Sequence, residues 1–188
     1  MRSSGQSAKE TDMDTIGGMS LEEFDEMNAQ GAEEVASLMA TEESLSESDE
    51  KLMLEVAMGG MMQLKISRLA IDSATDEEVL LLAQAEVVEQ TGLSEKLKEI
   101  AGIKGVTLPS APSADAQAML EKLSGLSGDE FDRAYVQESG VRGHELLDDV
   151  LERVETKAED GDLVELASAA HPLVQTHLQV ARSVLDAL

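Results

Sequence analysis

Two of the three histidines in the chain stand close together near its C-terminal end, in the segment HPLVQTH at residues 171–177. Imidazole is a frequent ligand of transition metals and a proton carrier near neutral pH, so the spacing of these residues decides what they can do. In a helix that turns by ~100° per residue, His171 and His177 point to different faces. We therefore predict that they do not bind one ion together, and that any partner of His177 comes from another helix.

His177 falls in the apolar stripe of its helix, because apolar residues such as Val174 and Ala181 stand three and four positions away from it. His144 has the same place in the preceding long helix, in line with Leu147 and Leu151. Residues at these spacings share one face of a helix, and an apolar face is the one that turns toward the core. The sequence therefore predicts two buried imidazoles.

The first two long helices place three more polar residues, Gln63, Glu86 and Gln90, in their apolar stripes. Counted from the two hairpin turns, with both turns placed at one end of a bundle, Gln90, His144 and His177 share a layer. At a rise of ~1.5 Å per residue, Gln63 and Glu86 lie one helical turn closer than that layer to the hairpin end of the bundle. A buried polar group without a partner costs about 1–3 kcal/mol, so we expect these side chains to meet one another, water or an ion.

Two interpretations of this polar layer remain open. The first is a mononuclear metal site of two histidines and one carboxylate, which suits one Fe, Mn or Zn ion. The second is a metal-free network of hydrogen bonds. The candidate ligands are His144, His177 and Glu86, with Gln63, Gln90 and Asp148 around them, the last one turn beyond His144. The chain has no cysteine, which excludes thiolate ligands. Neither a Ser-His-Asp arrangement nor a glycine-rich phosphate loop occurs, so the sequence names no catalytic residue and favours a protein that is not an enzyme.

Composition predicts an all-α protein, because helix-forming residues dominate, aromatic residues make up 2% and the chain has 3 prolines. We predict a ferritin-like up-down four-helix bundle with one longer crossover that carries a short helix, plus an extra acidic helix at the N-terminus. Residues 1–19 are predicted to be disordered, 20–47 to form the acidic helix and a linker, and 48–188 to form the bundle. The long helices are predicted at 48–73, 76–102, 128–158 and 162–188, and the short one at 114–124.

The chain carries 39 acidic against 14 basic side chains, a formal net charge of −25. Such a charge repels nucleic acid and anionic membrane surfaces and attracts cations, so no nucleic-acid partner is expected. No apolar run is long enough to span a bilayer. The acidic helix at 20–40 has no place in a four-helix count. It packs on its own bundle, or it joins the chain to a second copy or to a protein partner.

Four stretches of the sequence, GGMMQLKISRLA at 59–70, GVTLP at 105–109, FDRAY at 131–135 and HPLVQTHL at 171–178, occur in this order. Together they resemble the bacterial DUF4142 family over about residues 48–186. The resemblance implies a ferritin-like four-helix bundle without an established activity, usually exported to the periplasm or cell envelope. It also implies that His144 and His177 match histidines of the family, whereas Gln63 and Gln90 stand where Glu and His are usual.

These observations favour a non-catalytic structural, interaction or stress protein of the cell envelope. The alternative is a protein that binds a single metal ion in the core of the bundle. None of the histidines has a Glu three positions before it. The sequence therefore does not predict the di-iron site that Glu-x-x-His pairs form in other ferritin-like proteins.

Overall fold

A computed structural model describes residues 14–188 of the chain and begins with a small hairpin. The strands β1 (Thr15–Ile16) and β2 (Met19–Ser20) pair antiparallel, and Gly17 and Gly18 between them have positive φ angles of 54° and 81°. Glycine is the residue that adopts such angles without strain. The disorder predicted for residues 1–19 therefore does not hold for residues 14–19, and residues 1–13 lie outside the described part.

Most of the rest of the described chain is helical, which confirms the all-α bundle. The π-helical segment Val136–Gly143 joins the helices Gly128–Tyr135 and His144–Lys157, and the three together form the predicted third long helix. Within residues 14–188, no helix is long and apolar enough to cross a membrane. The helices are α1 (Leu21–Ser37), α2 (Glu47–Ser73), α3 (Glu77–Lys104), α4 (Ala114–Ser124), α5 (Gly128–Tyr135), α6 (His144–Lys157) and α7 (Gly161–Ala187).

Short polar side chains fix where the long helices begin. Ser46 accepts a hydrogen bond from a backbone N–H in the first turn of α2, and Asp76 and Asp160 do the same for α3 and α7. Such caps satisfy N–H groups that have no partner inside the helix. At the other end of α3, Gly105 adopts a left-handed conformation, which stops the helix before the crossover.

The two hairpin turns lie at opposite ends of the bundle. Asp132, near the start of α5, accepts hydrogen bonds from the backbone N–H groups of Thr75 and Asp76 in the α2–α3 turn. Asp49, near the start of α2, accepts them from the N–H groups of Glu159 and Asp160 in the α6–α7 turn. We expected both turns at one end, and this is wrong because the crossover runs the length of the bundle. The predicted polar residues nevertheless come together, because Gln90 and His144 lie near the middle of their helices, about equally far from either end.

The core is divided along its length by polar residues. One apolar cluster includes Val56 of α2 and Val174 of α7, and the other includes Ile66 and Val180 of the same two helices. His177 lies between the two clusters along α7, and all its side-chain atoms are buried. Two apolar clusters are thus separated by a layer in which only paired polar groups are stable.

Helix α1 packs as a fifth helix against α3 and α7. It buries Phe24, Gly31 and Val35 on that side. The face of α1 that we considered for a protein partner is therefore covered by its own bundle, and a role for residues 20–40 in oligomers or partner binding stays a prediction. Because α1 covers it, α3 is buried on two sides.

Candidate metal centre

Glu89 on α3, His144 at the start of α6 and His177 on α7 bring three ligand-type atoms within 4.8 Å of one another. Glu89 Oε1 lies 3.4 Å from His144 Nε2, and Glu89 Oε2 lies 2.8 Å from His177 Nδ1. Two atoms that bind one ion at about 2.0–2.2 Å and at roughly right angles are about 3 Å apart. The spacing of the three side chains therefore suits a shared ion.

The far nitrogen of His144 is held by the π-helical segment and by α2. The Gln63 amide satisfies both its ends when its nitrogen donates to Ser139 Oγ at 2.6 Å and its oxygen accepts from His144 Nδ1 at 3.0 Å. The backbone carbonyl of Ser139 lies 3.3 Å from the same Nδ1. Both partners are acceptors, so the proton of the neutral ring belongs on Nδ1 and the lone pair belongs on Nε2, which faces Glu89.

The π-helical segment before His144 brings these partners into place. Its backbone pairs residues five apart, the separation between Ser139 and His144. Gly143 lies so close to α2 that a Cβ atom there would come within 2.6 Å of the side-chain amide of Gln63. Departures from α-helical geometry of this kind are frequent at functional sites. In this chain the departure lets Gln63 reach the ring of His144.

The far nitrogen of His177 is held by α1. His177 Nε2 donates to Asn28 Oδ1 at 2.6 Å, and Asn28 Nδ2 donates to the backbone carbonyl of Phe24 at 2.8 Å. The Phe24 ring also packs on the imidazole, with ring centroids 5.4 Å apart. The proton of the neutral ring is thus on Nε2, and the Nδ1 lone pair faces Glu89.

Glu86, the carboxylate that we predicted as a ligand, stands behind His144. Its Oε2 accepts from Tyr135 Oη at 2.7 Å and from Ser67 Oγ at 2.6 Å. Its Oε1 is 3.7 Å from His144 Nδ1, the nitrogen that faces away from Glu89. The carboxylate that faces both imidazoles is Glu89, so Glu86 belongs to the surroundings of the site.

Sequence reasoning missed Glu89 because it assumed that α3 has one buried face. Since α1 covers a second face of α3, Glu89 is only 6% exposed although it lies outside the four-helix stripe. The run LLLAQAEVVEQTGL at 80–93 lacks a clear polar face, which is the signal of burial on two sides. Of the predicted surrounding residues, Gln63 contacts His144, and Gln90 Nε2 donates to Glu89 Oε1.

We predicted that Asp148 would lie beside His144. It pairs instead with the third histidine, His171. Its Oδ1 lies 2.9 Å from His171 Nε2, and Glu155 Oε2 lies 3.0 Å from His171 Nδ1. The three side chains lie between α6 and α7 and are partly exposed. His171 and His177 are separate, as the helical spacing predicted.

The charges of the centre call for a compensating cation. Glu86 and Glu89 are both buried, and within residues 14–188 neither forms a salt bridge with Lys or Arg. Burial tends to raise the pKa of Glu89, but the imidazoles of His177 and His144 close to its carboxylate hold it far below its usual range. Burial lowers the pKa of His144, yet Glu86 and Glu89 outweigh this effect and raise it to about 9. Positive charge, as protons or as a metal ion, therefore stabilises the centre.

Several buried atoms of the centre have no hydrogen-bond partner among residues 14–188. Although Glu89 Oε2 and His177 Nδ1 are close, they are not aligned as a hydrogen bond. Since buried polar atoms are nearly always paired, a group of unpaired atoms at one place needs an explanation such as an ion. The unpaired atoms around this centre are Glu86 Oε1, Glu89 Oε2, Gln90 Oε1, His144 Nε2 and His177 Nδ1.

Comparison with known proteins places this site inside a recognised domain. A model of the domain of unknown function DUF4142 matches residues 34–184, a range that holds Glu89, His144 and His177. The fold is similar to the crystal structure of a DUF305 fragment from Deinococcus radiodurans, with a TM-score of 0.69 and 14% sequence identity. The likeness covers 78% of this chain and 100% of that one, and at this identity it concerns the fold alone. No curated protein matches the sequence.

Proposed function

The chain belongs to the DUF4142 family, whose domain has no known function, and we propose that it binds one divalent transition-metal ion between α3, α6 and α7. The ligands are Glu89, His144 and His177. The proposal rests on one observation. The far nitrogen of each histidine has its own hydrogen-bond acceptor, while the near nitrogens and Glu89 Oε2 are buried without partners in the part of the chain that the structure describes. Metal-binding histidines have this arrangement, with the outer N–H group held by an oxygen.

The ligand set favours iron, manganese or zinc, because two imidazoles and one carboxylate suit these ions. Three ligands leave coordination positions open, at which a bound ion would supply Lewis-acid or redox chemistry. The protein holds the ligands in place from behind, through Gln63 on one histidine and Asn28 on the other. Apolar clusters flank the layer on both sides.

A metal-free function is the second candidate, and the raised pKa of His144 supports it. A protonated His144 would balance the buried carboxylates without an ion, and the bundle would then act as a structural, interaction or stress protein. For either function we propose a location in the periplasm or cell envelope, which is supported by the family resemblance alone.

Metal analysis of protein purified without a histidine tag separates the two candidates. We expect about one iron, manganese or zinc ion per chain by plasma mass spectrometry after incubation with each metal, and loss of that ion in a His144→Ala, His177→Ala double variant. His171→Ala is the matched control, because this histidine lies outside the centre and should leave the metal content unchanged. Wild-type protein that holds none of these ions would refute the proposal.

A further inference from the structure

Asn28, which accepts the hydrogen bond from His177 Nε2, lies on a helix that begins before the recognised domain. The family match starts at residue 34, whereas Phe24 and Asn28 precede it on α1. The three proposed ligands all lie inside the match. The part of α1 that contacts His177 therefore precedes the matched domain, whereas the three ligands lie inside it.

Asn28 stands in the inward-facing row of α1, between the buried residues Phe24 and Gly31. An asparagine at such a position needs a partner for both ends of its amide. Its nitrogen is used by the Phe24 carbonyl four residues earlier, which turns Oδ1 toward His177 Nε2. An amide oxygen can only accept a hydrogen bond, so this contact selects the form of His177 that has its proton on Nε2.

We propose that Asn28 is a positioning residue for the ion, and that α1 thereby controls how tightly the site holds it. This inference rests on the proposed function, because it assigns a role toward the same ion. With Asn28 in place, His177 presents the lone pair of Nδ1 to the ion and cannot rotate. Without it, the ring is free to move its proton to Nδ1, and that form does not bind metal from this side.

The position of α1 on the bundle depends on a close contact. A Cβ atom at Gly31 would lie 2.8 Å from Leu173 Cδ2 and 3.1 Å from Leu173 Cβ. Leu173 Cδ2 can turn away, but Leu173 Cβ is fixed to the backbone of α7, so we expect a larger residue at position 31 to push α1 from α7 and to take Asn28 with it. This gives a second way to weaken the contact between Asn28 and His177 without changing either residue.

Cobalt titrations followed by visible absorption test the role of Asn28. We expect Asn28→Ala to weaken Co²⁺ binding by about 10–100-fold and to change the absorption spectrum, the size of effect typical for lost outer partners of metal ligands. Asn28→Asp keeps an acceptor and should restore both. Gln30→Ala, on the exposed side of α1, is the matched control. Equal affinity and an identical spectrum in wild type and Asn28→Ala would overturn the proposal.

Gly31→Ala should weaken Co²⁺ binding in the same direction, because it moves α1. Gly92→Ala is its control, since a Cβ atom at this helical position on α3 meets no atom of the described residues within 4 Å. Unchanged Co²⁺ affinity in Gly31→Ala would show that the position of α1 does not control the site, and would overturn that part of the inference.

Nitrogen-15 NMR of the histidine rings in metal-free protein separates this inference from the proposed function. We expect the His177 ring of the wild type to carry its proton on Nε2, and Asn28→Ala to shift the ring toward the other form. If wild type binds no metal, the proposed function fails, but this measurement still decides whether Asn28 fixes the ring. A His177 signal that is the same in both proteins would overturn the positioning role.

Discussion

The rings of His144 and His177 lie edge to face, with centroids 5.6 Å apart and planes at 60°. Both come from the hairpin of α5–α6 and α7, whereas Glu89, which faces both, comes from the hairpin of α2 and α3. The centre therefore exists only where the two hairpins are packed together. This arrangement couples any bound ion to the stability of the fold.

Added metal is expected to raise the melting temperature. An ion that binds the folded chain alone stabilises it by about 2.7 kcal/mol at a free concentration 100 times its Kd. Thermal unfolding followed by circular dichroism, with and without Zn²⁺ or Mn²⁺, measures this shift. The His144→Ala, His177→Ala double variant should show none, and a wild-type melting temperature that ignores every divalent ion would contradict the prediction.

Glu89→Gln should reduce metal binding much more than Glu86→Gln. Both changes keep the shape of the side chain and remove its charge, but only Glu89 faces the near nitrogens of both histidines. Glu86 acts from behind, through its contact with His144 Nδ1. Co²⁺ titration of the two variants gives the order of the effects. If Glu86→Gln lowered Co²⁺ affinity more than Glu89→Gln, then Glu86 would be the ligand and the prediction would be wrong.

Gly143→Ala should weaken metal binding with little loss of fold stability. The new methyl group would meet the Gln63 amide, the far end of a flexible side chain, and push it from His144. Gly59→Ala on α2 is a suitable control, because its Cβ atom meets only Leu147 Cδ1, at 3.9 Å. Co²⁺ affinity and melting temperature, measured on both variants, separate the local effect from a general one.

The buried ion pairs at the far end of α3 predict a loss of stability in acid. Lys104 Nζ lies 2.6 Å from Asp160 and 2.7 Å from Asp162. Burial tends to raise the pKa of Asp162, but Lys104 and Thr41 hold it below its usual value of 3.8. Its contribution is therefore complete above the unfolded pKa and disappears as pH falls through the lower folded pKa. Urea unfolding between pH 6 and 3 should show the free energy of unfolding falling below about pH 4, and Asp162→Asn should reduce this fall.

Helix positions followed from the sequence because they depend on local features. Apolar spacing predicted the bounds of α2, α4 and α7 to within one residue at each end. The buried histidines and the amides of Gln63 and Gln90 followed from the same spacing. These residues face the core of any four-helix bundle, whichever way its hairpins are joined.

The choice of carboxylate did not follow, because it depends on a contact that no helix shows by itself. Glu89 becomes buried only when α1 covers α3, and Asn28 becomes important only when α1 meets His177. Asp148 was assigned to His144 by its spacing on α6, but it leans toward α7 and meets His171 instead. The positions of Glu89, Asn28 and Asp148 in the structure all depend on packing between helices that are distant in the sequence.

The paired aspartates Asp49 and Asp132 have a consequence for how the molecule comes apart. Each hairpin supplies the carboxylate that accepts hydrogen bonds from the turn of the other hairpin. If the two hairpins separate, both turns lose these hydrogen bonds. A fragment that holds only one hairpin would lack the aspartate that bonds to its turn. Contacts at both ends of the bundle, and the Glu89, His144 and His177 centre in its middle, thus join the two hairpins. We therefore expect the chain to unfold in a single cooperative transition.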